Sequence, residues 1–385
     1  MITIKLLRAA SGRPCVFQVI IMKPIGLYIH IPFCNGKCPY CDFYSVMPSE
    51  EKIDAYVSAV CKRIDAADRI YDTVYFGGGT PSLIGAKRIS EIMSHINRTP
   101  DCEATLECNP SDTGALNSDF DFGIVAKSGI NRISMGLQSA NDCERKSLGR
   151  RGGCDDVERA IVKARAAGID NISLDLMLGI PAQTKESLKG SIEFCKNLGA
   201  KHISAYILKI EESTPFYRIK NTLALPDEDE TCDLYLYAVN ELEKAGFSQY
   251  EISNFSLKGY ESRHNLKYWR CEEYLGIGAA AHSFVDGKRF YYERSIDDFI
   301  GGTAPVDDGE GGDEEEFIML ALRLSEGLIF DEYQKRFGKR IDKDIIEKSR
   351  ELEKHGLVRV TDNNISLTVD GFLVSNSVIC NLLGY

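Results

Sequence analysis

The chain has 385 residues, 44% of them hydrophobic, and its 46 Lys and Arg against 57 Asp and Glu give a formal charge of −11 at pH 7. This composition is typical of a globular protein of about two to three domains. An acidic chain is repelled by nucleic-acid phosphates and anionic lipids, and no apolar run reaches the ~20 residues of a membrane span. We therefore expect no nucleic-acid partner and no stable membrane insertion.

The first residues have an unusual charge pattern. Residues 1–23 contain four basic side chains and no acidic one, a pattern also found in transit peptides. Because a clear strand pattern begins just after Pro24, we favour a simpler interpretation. Met22 is then the natural start, and residues 1–21 are a non-native or disordered extension.

Six strand-like runs rich in β-branched and aromatic residues alternate with segments of helical spacing. Ser49 and Thr184 are the expected caps of two of the helices. This alternation predicts an α/β fold with a parallel sheet, arranged as a partial (β/α)6 TIM-like barrel. The predicted strands are 25–33, 73–76, 104–107, 132–135, 172–176 and 202–208.

Polar and small residues follow the ends of these predicted strands. The connections that leave parallel strands converge on one face of a barrel. We therefore expect a single site assembled from several strands. Its expected members are Cys34 after the first strand, residues 77–81 after the second, 107–110 after the third, Gln138 after the fourth and Asp175 at the end of the fifth.

The pattern changes after the barrel segment. We expect a core over residues 22–255, an aromatic and glycine-rich connecting region over 256–300, and an acidic linker over 301–316. The linker sequence GGTAPVDDGEGGDEEE predicts an exposed, mobile segment. Residues 317–385 form the last predicted unit.

This last unit has the pattern of a winged-helix-like α+β domain. Helical spacing covers 317–324 and 341–355, and short strands are expected near 357–360 and 365–367. Winged helices often bind DNA, but residues 301–385 contain 10 Lys and Arg against 17 Asp and Glu. Electrostatics therefore oppose a DNA-binding role.

Cysteine usage points to a reducing compartment and to one special loop. The 13 cysteines are scattered through a long chain, which favours a cytoplasmic protein over a small disulfide framework. Only Cys34, Cys38 and Cys41 lie close together. Structural zinc normally needs four protein ligands, and no second cysteine pair follows at a suitable distance. Three thiolates suit a [4Fe–4S] cluster whose fourth iron is left open to a chelating small molecule.

The strings CNGKCPYC, YFGGGTP and ECNP resemble the radical S-adenosylmethionine (SAM) superfamily over about residues 25–250. The resemblance implies that SAM chelates the open iron and that one electron from the cluster cleaves it to a 5′-deoxyadenosyl radical. The glycines of 77–79 would let backbone approach a ligand closely. Glu107 would accept hydrogen bonds from a ribose, or is alternatively a solvated carboxylate at a strand end.

Longer strings, among them LYIHIPFC, NRISMGLQS, SLGRR and SAYILKIEESTPF, resemble the oxygen-independent coproporphyrinogen III oxidase group and, within it, the HemW-type haem chaperones. The resemblance implies that Tyr28, Gly78 and Glu107 contact the cluster-bound SAM, although Tyr28 is equally compatible with a core position. The positions that match those holding a second SAM in the oxidases are Tyr40, Gly79, Thr80, Gln138, Arg150 and Asp175.

Two departures argue against the oxidase itself. The oxidases have a further cysteine two residues after the third cluster cysteine, and Phe43 occupies that position here. They also have a longer region before the cluster loop. The resemblance therefore favours the chaperone branch, with porphyrinogen decarboxylation as the alternative.

The string HNLKYW at 264–269 matches the haem-binding string proposed for that branch. A neutral imidazole is a good axial ligand for haem iron, and neighbouring aromatic rings can pack on the macrocycle. His264 is thus the expected haem ligand, and His282 in GAAAHSF is the competing candidate. His30, beside the cluster loop, is expected to be structural. Arg151 follows LGR where the family often has a histidine, so the role of that histidine is not carried over to this sequence.

The resulting hypothesis is a cytoplasmic haem chaperone with a [4Fe–4S] cluster, SAM and haem, which passes haem to an unidentified haem-requiring acceptor protein. A homodimer is left open, and no catalytic residue is assigned. The alternative is an enzyme, an anaerobic coproporphyrinogen III oxidase. A third reading is a radical SAM enzyme that acts on another substrate.

Overall fold

A computed structural model describes residues 23–47, 49–110 and 120–385. The predicted N-terminal extension and Met22 lie outside the described residues. The strands are β1 (Ile25–Ile31), β2 (Tyr71–Gly78), β3 (Arg98–Cys108), β4 (Arg132–Gln138), β5 (Asn171–Leu178), β6 (His202–Ile207), β7 (Ser248–Glu251), β8 (Asn254–Ser256), β9 (Tyr274–Ile277), β10 (His282–Val285), β11 (Lys288–Tyr291), β12 (Val306–Glu310), β13 (Leu328–Ile329), β14 (Val358–Val360) and β15 (Asn364–Leu367).

The helices alternate with the first six strands and then dominate the carboxyl-terminal part. They are α1 (Glu50–Ala67), α2 (Ala86–Ser94), α3 (Phe122–Ser128), α4 (Asp142–Ser147), α5 (Cys154–Ala166), α6 (Lys185–Asn197), α7 (Pro215–Ile219), α8 (Glu228–Ala245), α9 (Arg263–Trp269), α10 (Ile296–Gly301), α11 (Glu314–Ala321), α12 (Phe330–Phe337), α13 (Lys343–Lys354), α14 (Val369–Leu373) and α15 (Ser375–Leu383).

The six predicted strands are confirmed as β1 to β6, which pair in sequence order and in parallel. Tyr75 pairs with Tyr28 on one side and with Thr105 on the other, so these three side chains share one face of the sheet, here called the inner face. The alternate residues Leu27 and Ile29 are fully buried and belong to the apolar core with the helices. The α/β fold class predicted from the sequence is therefore correct.

The predicted caps begin two of the connecting helices. The Ser49 side chain accepts a hydrogen bond from Lys52 N at the start of α1, and Thr184 accepts one from Ser187 N at the start of α6. Such caps satisfy amide groups that have no partner within the helix. Both helices then bury the apolar stripe that their spacing predicted.

The main sheet is larger and more mixed than the sequence indicated. Its order is β12-β11-β10-β9-β1-β2-β3-β4-β5-β6-β8-β7, with β9 parallel to β1 and the outer strands antiparallel. The expectation of a mobile linker over 301–316 was wrong for Val306–Glu310, because β12 pairs with β11 there. All five residues of β12 are exposed at the sheet edge, and its sequence lacks the apolar alternation of a strand.

The small carboxyl-terminal unit contains the sheet β13-β15-β14 and helices α11 to α15. Its predicted strands match β14 and β15, while α12, α14, α15 and β13 were not predicted. Backbone hydrogen bonds join the segment after α11 to the barrel: Ile252 N donates to Arg323 O and Ser325 N donates to Tyr250 O, both at 3.0 Å. In the part of the chain that the structure describes, every helix is too short or too polar to cross a bilayer.

The end of β1 depends on one buried hydroxyl. Tyr56 Oη donates to His30 O at 2.8 Å and accepts from Ala279 N at 2.9 Å. Tyr56→Phe leaves both backbone groups without this partner, so we expect its free energy of unfolding to fall by about 1–3 kcal/mol. Urea denaturation measures this. The exposed Tyr385→Phe should change it by less than about 0.5 kcal/mol, and equal effects of the two variants would contradict the assignment.

Candidate functional site

A cavity of about 540 Å³ opens where the carboxyl ends of β1 to β6 converge. It is lined by every residue predicted to bind the cluster or SAM, with the exception of Tyr28. The predicted residues that line it are Cys34, Cys38, Cys41, Tyr40, Gly78, Gly79, Thr80, Glu107, Gln138, Arg150 and Asp175. The fold therefore brings these side chains to one place from many strands.

The three cysteines lie on a loop that leaves β1 and is bonded back to it. Cys34 N donates to Val46 O at 3.0 Å, and Val46 N donates to Pro32 O at 2.9 Å. Within the loop, Cys41 N donates to Cys38 O at 3.0 Å. The three thiols are half-buried. Paired backbone at both ends of the loop thus presents three soft ligands to one cavity.

Hydrogen-bond donors surround the sulfur atoms. Arg150 Nη1 lies 3.9 Å from Cys38 Sγ, and Thr80 Oγ1 lies 3.7 Å from Cys34 Sγ. Arg150 Nη2 also donates to Asn109 Oδ1 at 3.4 Å, while its buried Nε has no hydrogen-bond partner among the described residues. A guanidinium beside a sulfur atom can donate a hydrogen bond to a metal-bound thiolate.

The glycine turn after β2 packs directly against the end of β1. Gly79 N donates to Ile31 O at 2.9 Å, and a Cβ on Gly79 would lie 2.5 Å from Phe33 O. Gly78 has a φ of +110°, and its Cβ would lie 2.7 Å from the ring of His30. A larger residue at either position would push the turn away from the cluster loop. This packing is a structural reason for the glycines that the sequence alone did not reveal.

Two carboxyl groups and a buried arginine lie on the inner face beneath the cavity mouth. Glu107 Oε1 accepts from Tyr75 Oη at 2.7 Å, and burial raises the pKa of Glu107 to about 7. Burial also raises the pKa of Asp175, partly offset by a hydrogen bond from Ser204 and by the charge of Arg132. The Glu107 carboxyl can therefore exchange a proton near neutral pH, and Asp175 keeps its proton to a higher pH than an exposed aspartate does.

Gln138 and Tyr40 are held in place by packing within the cavity wall. Gln138 has a φ of +69° at the end of β4, and its Oε1 accepts from Tyr206 Oη at 2.9 Å. The Tyr40 ring packs edge-on against Phe216 with centroids 6.1 Å apart. Burial raises the pKa of Tyr40 above its usual range, so its phenol stays neutral.

A second cavity of about 530 Å³ lies beside the first and shares Asp42, Phe43 and Glu211 with it. Tyr28 lines this second cavity and not the first, and its hydroxyl lies 3.0 Å from His30 Nδ1. The other residues that line the second cavity are His30, Tyr44, Tyr268, Tyr274, Ala280, His282 and Arg294.

His264 occupies a position that differs from the one expected of a haem ligand. Its side chain is 0% exposed, with Nδ1 2.8 Å from Thr73 Oγ1 and Nε2 2.8 Å from Tyr268 Oη. Burial lowers its pKa to about 3, so the ring is neutral. Trp269 lies apart, beneath the guanidinium of Arg323. In this arrangement both ring nitrogens of His264 lie within hydrogen-bond distance of a hydroxyl group, and its assignment as a haem ligand stays a prediction.

Several polar residues that line the first cavity were not selected from the sequence. Arg132, Ser134, His202 and Ser204 lie on the inner face below Glu107. Arg132 is 1% exposed, and its Nε has no hydrogen-bond partner within the described ranges. The sequence does contain a signal for these four residues. Polar and apolar residues alternate in RISM (132–135) and HISA (202–205), and alternate residues of a strand face the same side of a sheet.

Three thiols on the loop after the first strand of a partial parallel barrel define a radical SAM protein. A model described as the radical SAM superfamily matches residues 28–195, and one described as the HemN C-terminal domain matches residues 314–374. The solved structure of coproporphyrinogen III oxidase (HemN) from Escherichia coli superposes with a TM-score of 0.78 at 20% identity, covering 94% of this chain and 90% of that one. At this identity the likeness establishes the fold.

Relatives with higher identity place the chain more narrowly. A protein named haem chaperone HemW from Lactococcus lactis is 33% identical over 93% of this chain and 97% of its own length. Proteins of the same name from Bacillus subtilis and Escherichia coli are 33% and 38% identical, over 93% and 70% of this chain and 98% and 73% of their own lengths. The chain belongs to the HemW family.

The raised pKa of Glu107 makes stability depend on pH. The folded protein holds the Glu107 proton up to about pH 7, whereas the unfolded chain releases it near the ordinary value of 4.5. This contribution to stability is full below pH 4.5 and is lost as the pH rises to about 7. Glutamine does not titrate, so only the wild type loses this stability as the pH rises. The free energy of unfolding of Glu107→Gln should therefore increase relative to that of wild type by on the order of 1–2 kcal/mol between pH 4.5 and 7, after allowance for partial solvent exposure.

Urea denaturation of the cofactor-free proteins at several pH values measures this difference. Glu251, whose pKa burial also raises to about 7, contributes equally to both proteins and cancels. The exposed Glu186→Gln is the control and should follow wild type. Parallel curves for Glu107→Gln and wild type between pH 4.5 and 7 would contradict the buried environment assigned to Glu107.

Proposed function

We propose that this chain is a haem chaperone, which binds haem and transfers it to a haem-requiring acceptor protein in the cytoplasm. The observation that carries the proposal is the similarity, over 93% of the chain, to proteins named haem chaperones. The second cavity supports it, because it offers room and aromatic walls beside the cysteine loop. The acceptor is described here only by its need for haem.

We further propose that Cys34, Cys38 and Cys41 hold a [4Fe–4S] cluster and that SAM occupies its open iron. Three half-buried thiols that line one cavity, with a guanidinium beside one of them, fit this donor set. Within the described residues no three His, Cys, Asp or Glu side chains surround a single-ion position, and a cube instead gives each thiolate its own iron. When bound, the cluster supplies one electron for cleavage of the SAM sulfonium.

The protein's own residues have assigned tasks in this proposal. Gly78 and Glu107 contact the cluster-bound SAM, with the Glu107 carboxyl accepting hydrogen bonds from its ribose. A Cβ on Gly77 would lie 3.0 Å from the ring of Tyr28, so Tyr28 supports this turn from the side of the second cavity. The set proposed for a second SAM is Tyr40, Gly79, Thr80, Gln138, Arg150 and Asp175, all of which line the first cavity.

The second candidate function is that of an oxygen-independent coproporphyrinogen III oxidase. The shared fold with the Escherichia coli oxidase is compatible with it. Phe43 opposes it, because this residue stands where the oxidases carry an additional cysteine and is 68% exposed at the mouth of both cavities. A phenyl ring has no group that could replace a thiol.

Cluster ligation is tested by single substitutions after anaerobic reconstitution. Cys34→Ala, Cys38→Ala and Cys41→Ala should each lose most of the bound iron and sulfide, because a cube needs all three thiolates for stable binding. Cys143→Ala removes an exposed cysteine outside the loop and should keep the wild-type content. Iron and sulfide analysis gives the result, and wild-type content in all three loop variants would contradict the proposal.

The two candidate functions are separated by two assays on the same reconstituted protein. We expect haem to bind at one equivalent and to pass to a haem-free acceptor enzyme, measured by recovery of that enzyme's activity. We expect no conversion of coproporphyrinogen III to protoporphyrinogen IX. Efficient conversion without haem transfer would overturn the chaperone proposal in favour of the oxidase.

A further inference from the structure

A short segment after α4, residues 149–151, lies against the cysteine loop and is here called the arginine strap. Gly149 begins the strap with a φ of +66°, and a Cβ on it would lie 2.7 Å from Pro39 Cδ. The next residue is Arg150, whose guanidinium lies beside Cys38 as described above. The strap therefore packs on the middle of the loop, and its glycine leaves no room for a side chain.

Arg151, the last residue of the strap, is bonded to the part of the loop that follows Cys34. Its Nη2 donates to Gly36 O at 3.2 Å, and a Cβ on Gly36 would overlap the same nitrogen. Arg151 is exposed, and it has no ion-pair partner among the residues that the structure describes. No neighbouring carboxylate therefore neutralises its charge, and the hydrogen bond to the loop carbonyl gives the guanidinium a defined position.

The Gly36 carbonyl accepts from a cysteine as well as from the strap. Cys34 Sγ donates to Gly36 O at 3.4 Å, so this thiol and the Arg151 guanidinium share one acceptor. A metal-bound cysteine is a thiolate and has no proton left to donate. Arg151 then remains as a donor to a carbonyl oxygen that would otherwise face a negatively charged sulfur atom. The strap is thus suited to the ionised form of the loop.

A buried guanidinium on α4 fixes the strap to the end of β4. Arg145 is 3% exposed, its Nη1 donates to Leu137 O, and its Nη2 donates to Gly152 O at 3.2 Å. Its own carbonyl accepts from Arg150 N at 3.0 Å. These bonds hold the residues on either side of Arg151. Because the backbone at both neighbours is paired, Arg151 reaches the loop from a fixed base.

Several charged groups lie along the cysteine loop. Lys37 is part of the loop, and the strap adds Arg150 and Arg151. The acidic residue of the loop is Asp42, which accepts a hydrogen bond from Ser213. Three thiolates give a bound cluster a negative charge, and reduction increases that charge. A cation beside the loop therefore favours both the ionised thiols and the reduced cluster.

We propose that Arg151 is a positioning residue of the cluster site. It holds the backbone after Cys34 through the Gly36 carbonyl, and its charge stabilises the three thiolates and the reduced cluster. This inference rests on the cluster ligation proposed above. In the redox step a low-potential one-electron donor passes a single electron to the oxidised cluster, while no bond breaks and no proton moves. Arg151 keeps its proton throughout, because a guanidinium does not titrate in proteins.

The rate at which the reconstituted full chain loses iron to the chelator bathophenanthroline disulfonate, without SAM and without oxygen, tests the hold on the loop. Arg151→Gln should lose iron about threefold to tenfold faster than wild type, because groups behind metal ligands contribute to metal retention. Arg151→Lys keeps the charge and should stay within about twofold of wild type. Arg340→Gln removes the same charge from an exposed position in the carboxyl-terminal unit and should match wild type.

Partial reduction by dithionite at a fixed solution potential separates the effect of charge from that of shape. The ratio of reduced to oxidised cluster, read by electron paramagnetic resonance, should fall about threefold in Arg151→Gln. Arg151→Lys should keep the wild-type ratio, as should Arg340→Gln. A side chain that only packs against the loop would leave this ratio unchanged. Because residue 151 is exposed, we expect both variants to fold as wild type does.

The outcomes distinguish this inference from the proposed cluster ligation. If wild type holds a cluster and Arg151→Gln matches it in both iron loss and reduction ratio, the role of Arg151 is overturned while the cluster ligation stands. Equal reduction ratios in Arg151→Gln and Arg151→Lys would also overturn it, because charge would then have no effect. If wild type holds no cluster after reconstitution, both proposals fail.

Discussion

The end of β1 is held on both sides by backbone that has almost no room to move, and both cavities depend on this clamp. On one side, Gly79 N bonds to Ile31 O at 2.9 Å and Thr80 N bonds to Phe33 O at 2.8 Å. On the other side, the turn at Gly278 lies against His30 O, which the Tyr56 hydroxyl also engages. Buried backbone groups must be paired, so the cysteine loop begins from a fixed point.

The parallel sheet brings side chains from several strands to the same side of this fixed loop. Polar side chains such as Arg132 and Asp175 alternate with apolar ones along the strands, so the inner face carries charge while the outer face packs on helices. Burial without full neutralisation shifts the pKa values of these carboxyl groups upward. The two cavities then differ in character: the three cysteine thiols line only the first, and most of the second is lined by tyrosines and two histidines, while Asp42 and Glu211 line both.

Much of the barrel could be predicted from the sequence because each strand of the core is buried and has an explicit pattern. The cysteine spacing, the caps Ser49 and Thr184, and the convergence of strand ends are all local signals. The edge strand Val306–Glu310 could not be predicted, because its exposed acidic side chains are those of a linker and only pairing with β11 makes it a strand. The glycines at 78 and 79 were recognised from the sequence, but their contact with the end of β1 arises only in the tertiary structure.

His264 shows a different limit of sequence reasoning. A histidine among aromatic residues has the same pattern whether it binds a metal or bonds to its neighbours, and its availability depends on partners distant in sequence. Thr73, 191 residues away, occupies one ring nitrogen. His282, the first residue of β10, is exposed and lacks such partners within the described residues. Exposure and hydrogen bonding, which follow from the fold, therefore give different surroundings to the two histidines that the sequence left as alternatives.

We have proposed that three thiolates hold a cluster whose fourth iron is open to SAM. Electron–nuclear double resonance on the reduced, reconstituted protein, with SAM labelled with ¹⁵N at the methionyl amine, measures whether SAM binds that iron. We expect hyperfine coupling between the label and the cluster, together with a shift of the electron paramagnetic resonance (EPR) signal on addition of SAM. A protein that contains only zinc, or a cluster whose spectrum is unchanged by SAM and shows no coupling to the label, would contradict it.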